Sequence, residues 1–288
     1  MIPGTFTYHR PASVEDAIKL LGDLGDEARP LAGGHSLIPM MKLRLAAPQH
    51  LVDLGRIASL KGIRESGGEL VIGATTTQAE IIASRLLAAK CPILQEAALV
   101  IADPQVRYLG TIGGNVANGD PGNDMPAITQ CLGASYALRG ARGERRVPAR
   151  EFYQGLFTTK LGAGEILTAV VIPVPPAGHG FAYEKLKRKV GDYATAAAAV
   201  VLTLKGGVCA SAAVALTNVG DTPLYAASAA SALQGSKLDE ATIAKAVAAA
   251  QAIARPASDG HGPAEYRRKM AGVMLRRAIA RAKQRAHG

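Results

Sequence analysis

The sequence predicts an α+β fold that ends in a C-terminal antiparallel sheet packed with helices. Three observations carry that expectation. The N-terminal stretch reads as strand, glycine turn, helix and strand, a small α/β unit. A proline-rich break over residues 173–178 separates it, and a mixed middle segment, from the rest of the chain. Beyond the break come three strand-like runs and then three helical segments.

Ser13 and Asp16 read as a helix start, and Val14, Ala17, Ile18 and Leu21 form an apolar stripe behind them. Residues 29–32 read as a short strand that runs into Gly33 and Gly34, and Ser36 opens a short helix through residue 43. Residues 51–54 read as a second strand and 69–74 as a third. Thr75, Thr76 and Thr77, followed by Glu80, read as the cap of a helix. Its pattern continues through Leu99 until Asp103 and Pro104 break it. Residues 110–124, rich in glycine and asparagine, read as a long loop. Strands are expected at 135–139, 145–148 and 166–172. After the break, 180–187, 196–205 and 208–216 read as strands, with Gly206 and Gly207 at two-residue hairpin spacing. Helices follow at 225–233, 239–253 and 263–285. The expected domains are 1–56, an N-terminal unit; 57–176, a middle unit; and 177–288, a sheet-plus-helices unit.

Hydrophobic residues make up 48% of the chain and charged residues 19%, which suits a globular protein and not a disordered one. Tryptophan is absent, so the core must be built from aliphatic residues. Cys91, Cys131 and Cys209 lie far apart, with no CxxC pair and no Cys/His cluster. They read as buried small hydrophobes in a reducing compartment, and they cannot supply four thiolates to an iron–sulfur cluster. The first residues carry no apolar secretory segment, and no apolar run is long enough to span a bilayer. A cytoplasmic protein is expected. The net charge is +10, with basic residues concentrated at 185–189 and in the tail from Arg267 to Arg285. No aromatic residues interleave with them, so nucleic acid is not the expected partner. Part of the charge is expected to face an acidic partner or a membrane.

Two glycine clusters carry the chemistry. In the first, Ala32, Gly33, Gly34, His35 and Ser36 follow a strand and precede a helix. Two glycines let a ligand approach the main chain, and the helix start favours a phosphate. An ordinary strand-to-helix turn capped by Ser36 explains the same residues. In the second, residues 110–124 have little side-chain bulk, with Thr111, Asn115 and Asn118 as donors beside many expected free amides. Neither cluster is a Rossmann fingerprint, and no Walker A sequence occurs. Two separate phosphate-suited clusters point to one extended dinucleotide gripped from two sides.

At these residues the chain resembles the FAD-binding medium subunits of the molybdenum hydroxylases, the family that includes xanthine dehydrogenase. The carrying motifs are AGGHSLIP at 32–39, GATT at 73–76, VRYLGTIGGN at 106–115 and GEIL at 164–167. NGDPGNDMP at 118–126, YEKLKRK at 183–189, GDYAT at 191–195 and PASD at 256–259 resemble the carbon monoxide dehydrogenase branch. The likeness covers essentially the whole chain. It implies a flavin fold of the vanillyl-alcohol-oxidase (PCMH) type, with FAD between the N-terminal and middle units. It also implies that Ala32, Gly33, Gly34, His35 and Ser36 hold the pyrophosphate. Thr111, Ile112, Gly113, Gly114 and Asn115 would line the flavin and pyrophosphate. Asp124 would lie near the flavin and adenosine end, and Leu167 would pack on the cofactor. Lys185 and Tyr193 would belong to a loop region shielding the isoalloxazine ring.

The same resemblance implies that a large partner subunit carries molybdenum with a molybdopterin dinucleotide. A small partner would carry two [2Fe–2S] clusters, the whole forming a dimer of heterotrimers. Peripheral association with the inner face of the membrane belongs to the same expectation. This chain would pass electrons from carbon monoxide oxidation to an external acceptor such as a quinone, with no catalytic side chain and no metal of its own. The cofactor brings the chemistry, and the protein binds and orients it. No G-x-S-x-G elbow or H-E-x-x-H motif argues otherwise. A flavoprotein subunit acting on xanthine, aldehydes or N-heterocycles is the alternative, as is a stand-alone flavin oxidoreductase. A nucleotide- or nucleic-acid-binding module recruited by the basic tail is a rival of another class.

Overall fold

Alanine and β-branched residues dominate the two longest strands of this chain, Ala196–Lys205 and Val208–Thr217. The computed structural model describes residues 2–287. Strands Thr7–His9, Ala28–Leu31 and His50–Asp53 form a parallel sheet with His50–Asp53 in the centre. Helix Val14–Leu24 covers it through Val14, Ala17, Ile18 and Leu21, capped by Ser13 as its sequence predicts.

The second sheet is antiparallel, in the order Ile63–Ser66, Glu69–Gly73, Ile166–Pro173, Ser135–Gly140 and Gly143–Pro148. Thr77 and Glu80 form the expected capping box at the start of helix Gln78–Ala83. The helical stretch after it is not continuous: it divides into Gln78–Ala83, Arg85–Lys90 and Ile93–Val100. The break expected at Asp103 and Pro104 is present, since helix Ile93–Val100 ends before it, and the same pair starts the next helix. Asp103 caps the backbone N–H of Val106, and Pro104 takes the first helical position, where it needs no donor. The expected loop at 110–124 is also corrected, because it contains helix Ile112–Ala117 and leads into Asp124–Cys131. The hydroxyl of Thr111 caps Gly114, enough to start a turn of helix despite the two glycines.

The third sheet is antiparallel, in the order Gly180–Leu186, Ala196–Lys205, Val208–Thr217 and Leu224–Tyr225. Gly206 and Gly207 both have positive φ, 57° and 75°, as a tight hairpin of primed type requires. Strand Ala196–Lys205 is buried on both faces. Ala196, Ala198, Val200 and Leu202 face helices Ala227–Leu233, Glu240–Ile253 and Ala264–Arg285, while Ala197 and Ala199 face the middle core. Helix Ala264–Arg285 lies so close that a Cβ on Gly180 would sit 2.0 Å from the Ala282 carbonyl.

Several cations of the basic tail are engaged within the chain itself, while Arg268, Lys269 and Arg277 stay exposed. Arg281 and Arg285 both pair with Glu96, at 3.0 and 2.7 Å, and Arg281 also pairs with Glu184. Arg276 pairs with Glu240, and Lys283 donates to the Lys237 and Leu238 carbonyls. All three cysteines are free and buried, and burial pushes the Cys91 and Cys131 thiols up to about 12. No helix is long and apolar enough to cross a membrane among the described residues.

Arg267 is 2% exposed. It donates to the Thr195 carbonyl at 3.0 Å, the Ala257 carbonyl at 2.9 Å, Asp259 at 2.7 Å, and the Asn218 carbonyl. It therefore ties the last helix to the loops at the end of the third sheet. Arg267→Met leaves those acceptors without their donor, and a loss of about 3 kcal/mol of unfolding free energy is expected. Urea denaturation measures it; a loss below about 1 kcal/mol, the worth of a single ordinary hydrogen bond, would show that the hub is dispensable.

Candidate cofactor-binding site

The two glycine clusters touch. A Cβ on Gly33 would lie 2.2 Å from the Leu109 carbonyl oxygen and 2.8 Å from the Gly110 Cα, closer than any side chain permits. Gly34, at φ +74°, turns the chain in a region that favours glycine. Together they seat the 32–36 turn directly on the start of the second cluster. Gly113 makes a similar approach to Ala74, where a Cβ would meet the carbonyl oxygen at 2.5 Å.

Around this contact runs a cavity of about 660 Å3, a size suited to a cofactor. Of the site residues read from sequence, Ala32, Gly33, Gly34, His35, Ser36, Thr111, Gly113, Gly114, Asn115, Asp124, Leu167, Lys185 and Tyr193 all line it. Ile112 does not; it is fully buried in the middle core, which anchors the second cluster from behind. Walls that sequence reasoning missed include Gln78, Ile101 and Ala102. The threonine run ahead of Gln78 reads as a helix cap and gives no hint of a pocket. Ile101 and Ala102 look like the frayed end of an apolar helix.

The two clusters offer different chemistry. Among the described residues, no protein acceptor meets the backbone N–H groups of Gly33, Gly34, His35 or Ser36. Ser36 does not cap the helix that follows it, so its hydroxyl also lacks the expected partner. This turn can donate to an anion. The second cluster is already satisfied: Ile112 donates to Thr76 O, Gly113 to Ala74 O, Gly114 to Thr111 Oγ1 and Asn115 to Thr111 O, all at 2.8–3.0 Å. The free amides expected there are engaged within the fold, and the cluster serves as a smooth wall. FAD fits these residues, since a diphosphate needs the donors and flat rings need the wall.

Asp124 and Lys185 form a buried ion pair at 2.8 Å, with side chains 5% and 3% exposed. Lys185 lies in strand Gly180–Leu186 and not in a covering loop, because alternation along that strand turns it toward helix Asp124–Cys131. The other Asp124 oxygen accepts from the Tyr183 hydroxyl at 2.5 Å. Burial, and then the Asp124 charge, hold the Tyr183 phenol far above its ordinary range, so it stays a donor. Asp124 thus takes Lys185 on one oxygen and Tyr183 on the other, and holds Lys185 at the cavity wall. Tyr193 does belong to a loop, and Gly122 leaves room for its ring: a Cβ there would lie 2.9 Å from Cδ1. Burial and the neighbouring Asp120 carboxylate push its phenol up to about 12. Across the cavity, Arg145 grips Glu165 through two bonds of 2.8 and 2.6 Å and holds that carboxyl below its usual range.

Two outcomes follow from this geometry. Gly33→Ala forces the clusters apart, whereas a Cβ on Gly114 meets only Thr111 Oγ1, at 3.0 Å. Gly33→Ala is therefore expected to weaken FAD by about tenfold or more, about 1.4 kcal/mol, and Gly114→Ala by less; equal retention in flavin titrations would contradict this. Lys185→Met strands a buried carboxylate and is expected to cost about 3 kcal/mol of stability, with Asp124→Asn in the same chain recovering part of it. Urea unfolding of the single and double variants measures the recovery, and strictly additive losses would mean that the pair does not act as one.

A model of the FAD binding domain in molybdopterin dehydrogenase matches residues 4–175, and one of the CO dehydrogenase flavoprotein C-terminal domain matches 181–282. The carbon monoxide dehydrogenase medium chain of Afipia carboxidovorans is 66% identical over 286 residues, 99% of either chain. The chain superposes with a TM-score of 0.99 on a subunit of the cyanide-inactivated Cu,Mo-CO dehydrogenase, at 66% identity over 99% of this chain and 100% of that one. Quinoline 2-oxidoreductase from Pseudomonas putida gives 0.93 at 36% identity, over 99% of each chain. This chain therefore belongs to the family of FAD-binding medium subunits of the molybdenum hydroxylases.

Proposed function

We propose that the chain is the FAD-holding, electron-transferring subunit of a carbon monoxide-oxidising dehydrogenase. Its partners would be a large molybdenum subunit and a small [2Fe–2S] subunit. The observation that carries this reading is the meeting of both glycine clusters around one cavity, with Lys185 and Tyr193 at its wall. Support for carbon monoxide comes from 66% identity along the whole length of a carbon monoxide dehydrogenase medium chain, against 36% for the quinoline enzyme.

Each residue then has a task. The N–H groups of Gly33, Gly34, His35 and Ser36 bind the diphosphate, helped by the Ser36 hydroxyl. Thr111, Gly113, Gly114 and Asn115 form the wall that sets the plane of the rings, and Ile112 fixes that wall in the core. Leu167 adds apolar contact. Lys185, kept in place by Asp124 and Tyr183, lends a positive charge that favours a cofactor gaining electrons. Tyr193 covers the cavity and limits entry of water. FAD, when bound, would take up electrons one at a time from one-electron donors such as [2Fe–2S] clusters and pass them on singly or as a pair. No side chain here acts on the primary substrate.

The test uses the native complex. It is expected to be yellow, to contain molybdenum and iron, and to reduce a dye when given carbon monoxide. The isolated chain with FAD is expected to give no such reduction. Carbon monoxide oxidation by the chain alone, or a complex that ignores carbon monoxide and oxidises xanthine or an aldehyde, would replace this reading.

A further inference from the structure

Gln78 is 2% exposed, yet neither its Nε2 nor its Oε1 has a hydrogen-bond partner among the described residues. A buried carboxamide left in that state is costly, and natural chains keep one only where something else completes it. Its surroundings allow little escape. The residue follows the Thr77 cap as the first of its helix, and its backbone N–H donates to the Gly110 carbonyl at 2.9 Å. The residue borders the cavity beside Ala74, Thr75, Gly110 and Gly113, so a turn about its side-chain torsions brings the closed-off carboxamide to a ligand there.

The pair of orphaned atoms defines what must arrive. A diphosphate only accepts, so it could serve Nε2 and would leave Oε1 bare. A heteroaromatic edge with an N–H beside an acceptor serves both atoms in one plane, as a carboxamide presents them. FAD carries two such edges: the pyrimidine edge of the flavin, with its imide N–H and carbonyl, and the amino-pyrimidine edge of adenine. We propose that Gln78 is a direct ligand of the cofactor, pairing donor-to-acceptor and acceptor-to-donor with one of these ring edges. The proposal rests on the FAD reading above and extends it to a residue that neither glycine motif contains.

Gln78→Leu tests it, because leucine fills similar space without the unpaired atoms. The full-length chain, free of flavin, is titrated with FAD, FMN and ADP and then melted with and without FAD. Without ligand, the variant is expected to be at least as heat-stable as wild type, since a buried orphan has been removed. With FAD, the affinity is expected to fall about tenfold or more. A flavin-edge contact weakens FMN and FAD alike, shifts the visible absorption bands and leaves ADP binding unchanged. An adenine-edge contact weakens ADP and FAD alike and leaves FMN and the spectrum unchanged. Unaltered binding of all three ligands, or an apo variant less stable than wild type, overturns the proposal, as does an equal loss for all three. A wild-type chain that fails to bind FAD at all would instead overturn the reading on which it rests.

Discussion

The absence of a side chain at residue 33 is the constraint on which the site depends. The carbonyl of Leu109 occupies the place where a Cβ would be, so the 32–36 turn and the start of the second cluster share a van der Waals surface. That contact joins an N-terminal parallel sheet to a middle antiparallel one and fixes the width of the cavity between them. A second exclusion, at Gly113 against Ala74, holds the far wall to its own sheet. Protein interiors are packed as densely as crystals, so such exclusions set distances to fractions of an ångström.

Charge organises the third side. Asp124 sits at the start of a helix, where the dipole favours an anion, and its two oxygens are taken by Lys185 and Tyr183. A buried pair of this kind contributes little net stability, since desolvation offsets most of the attraction. What it does contribute is position. Lys185 is held by a carboxylate on the middle unit while its backbone belongs to the C-terminal sheet. The cation at the cavity wall thus joins a strand of the third sheet to the helix that carries Asp124.

Much of this was legible in the residues. The strand alternation, the glycine hairpin at 206–207 and the Thr77–Glu80 capping box obey local rules, and the elements appear within a residue or two of expectation. The glycine clusters mark the site, although Gly33 and Gly113 are required as much by close main-chain contacts within the fold. Other features, three of them at the site, were not legible. Residues 112–117 form a helix because Thr111 caps it and Ile112 and Val116 bury, a tertiary effect that outweighs glycine's poor helix propensity. The amides of the second cluster are consumed by Thr76, Ala74 and Thr111, partners that only the fold brings near. Gln78 looked like an ordinary residue after a cap, and its isolation depends on what surrounds it.

The end of the chain is mechanically coupled to the cavity. Glu96 accepts from Arg281 and Arg285 near the C-terminus and from the backbone N–H of Tyr183, whose hydroxyl meets Asp124. Asp124 in turn holds Lys185. Four links of charge-assisted bonding thus run from the final helical turn to the Lys185 wall of the cavity. A load placed on that turn is therefore passed along charged contacts to the side of the cavity that Lys185 occupies.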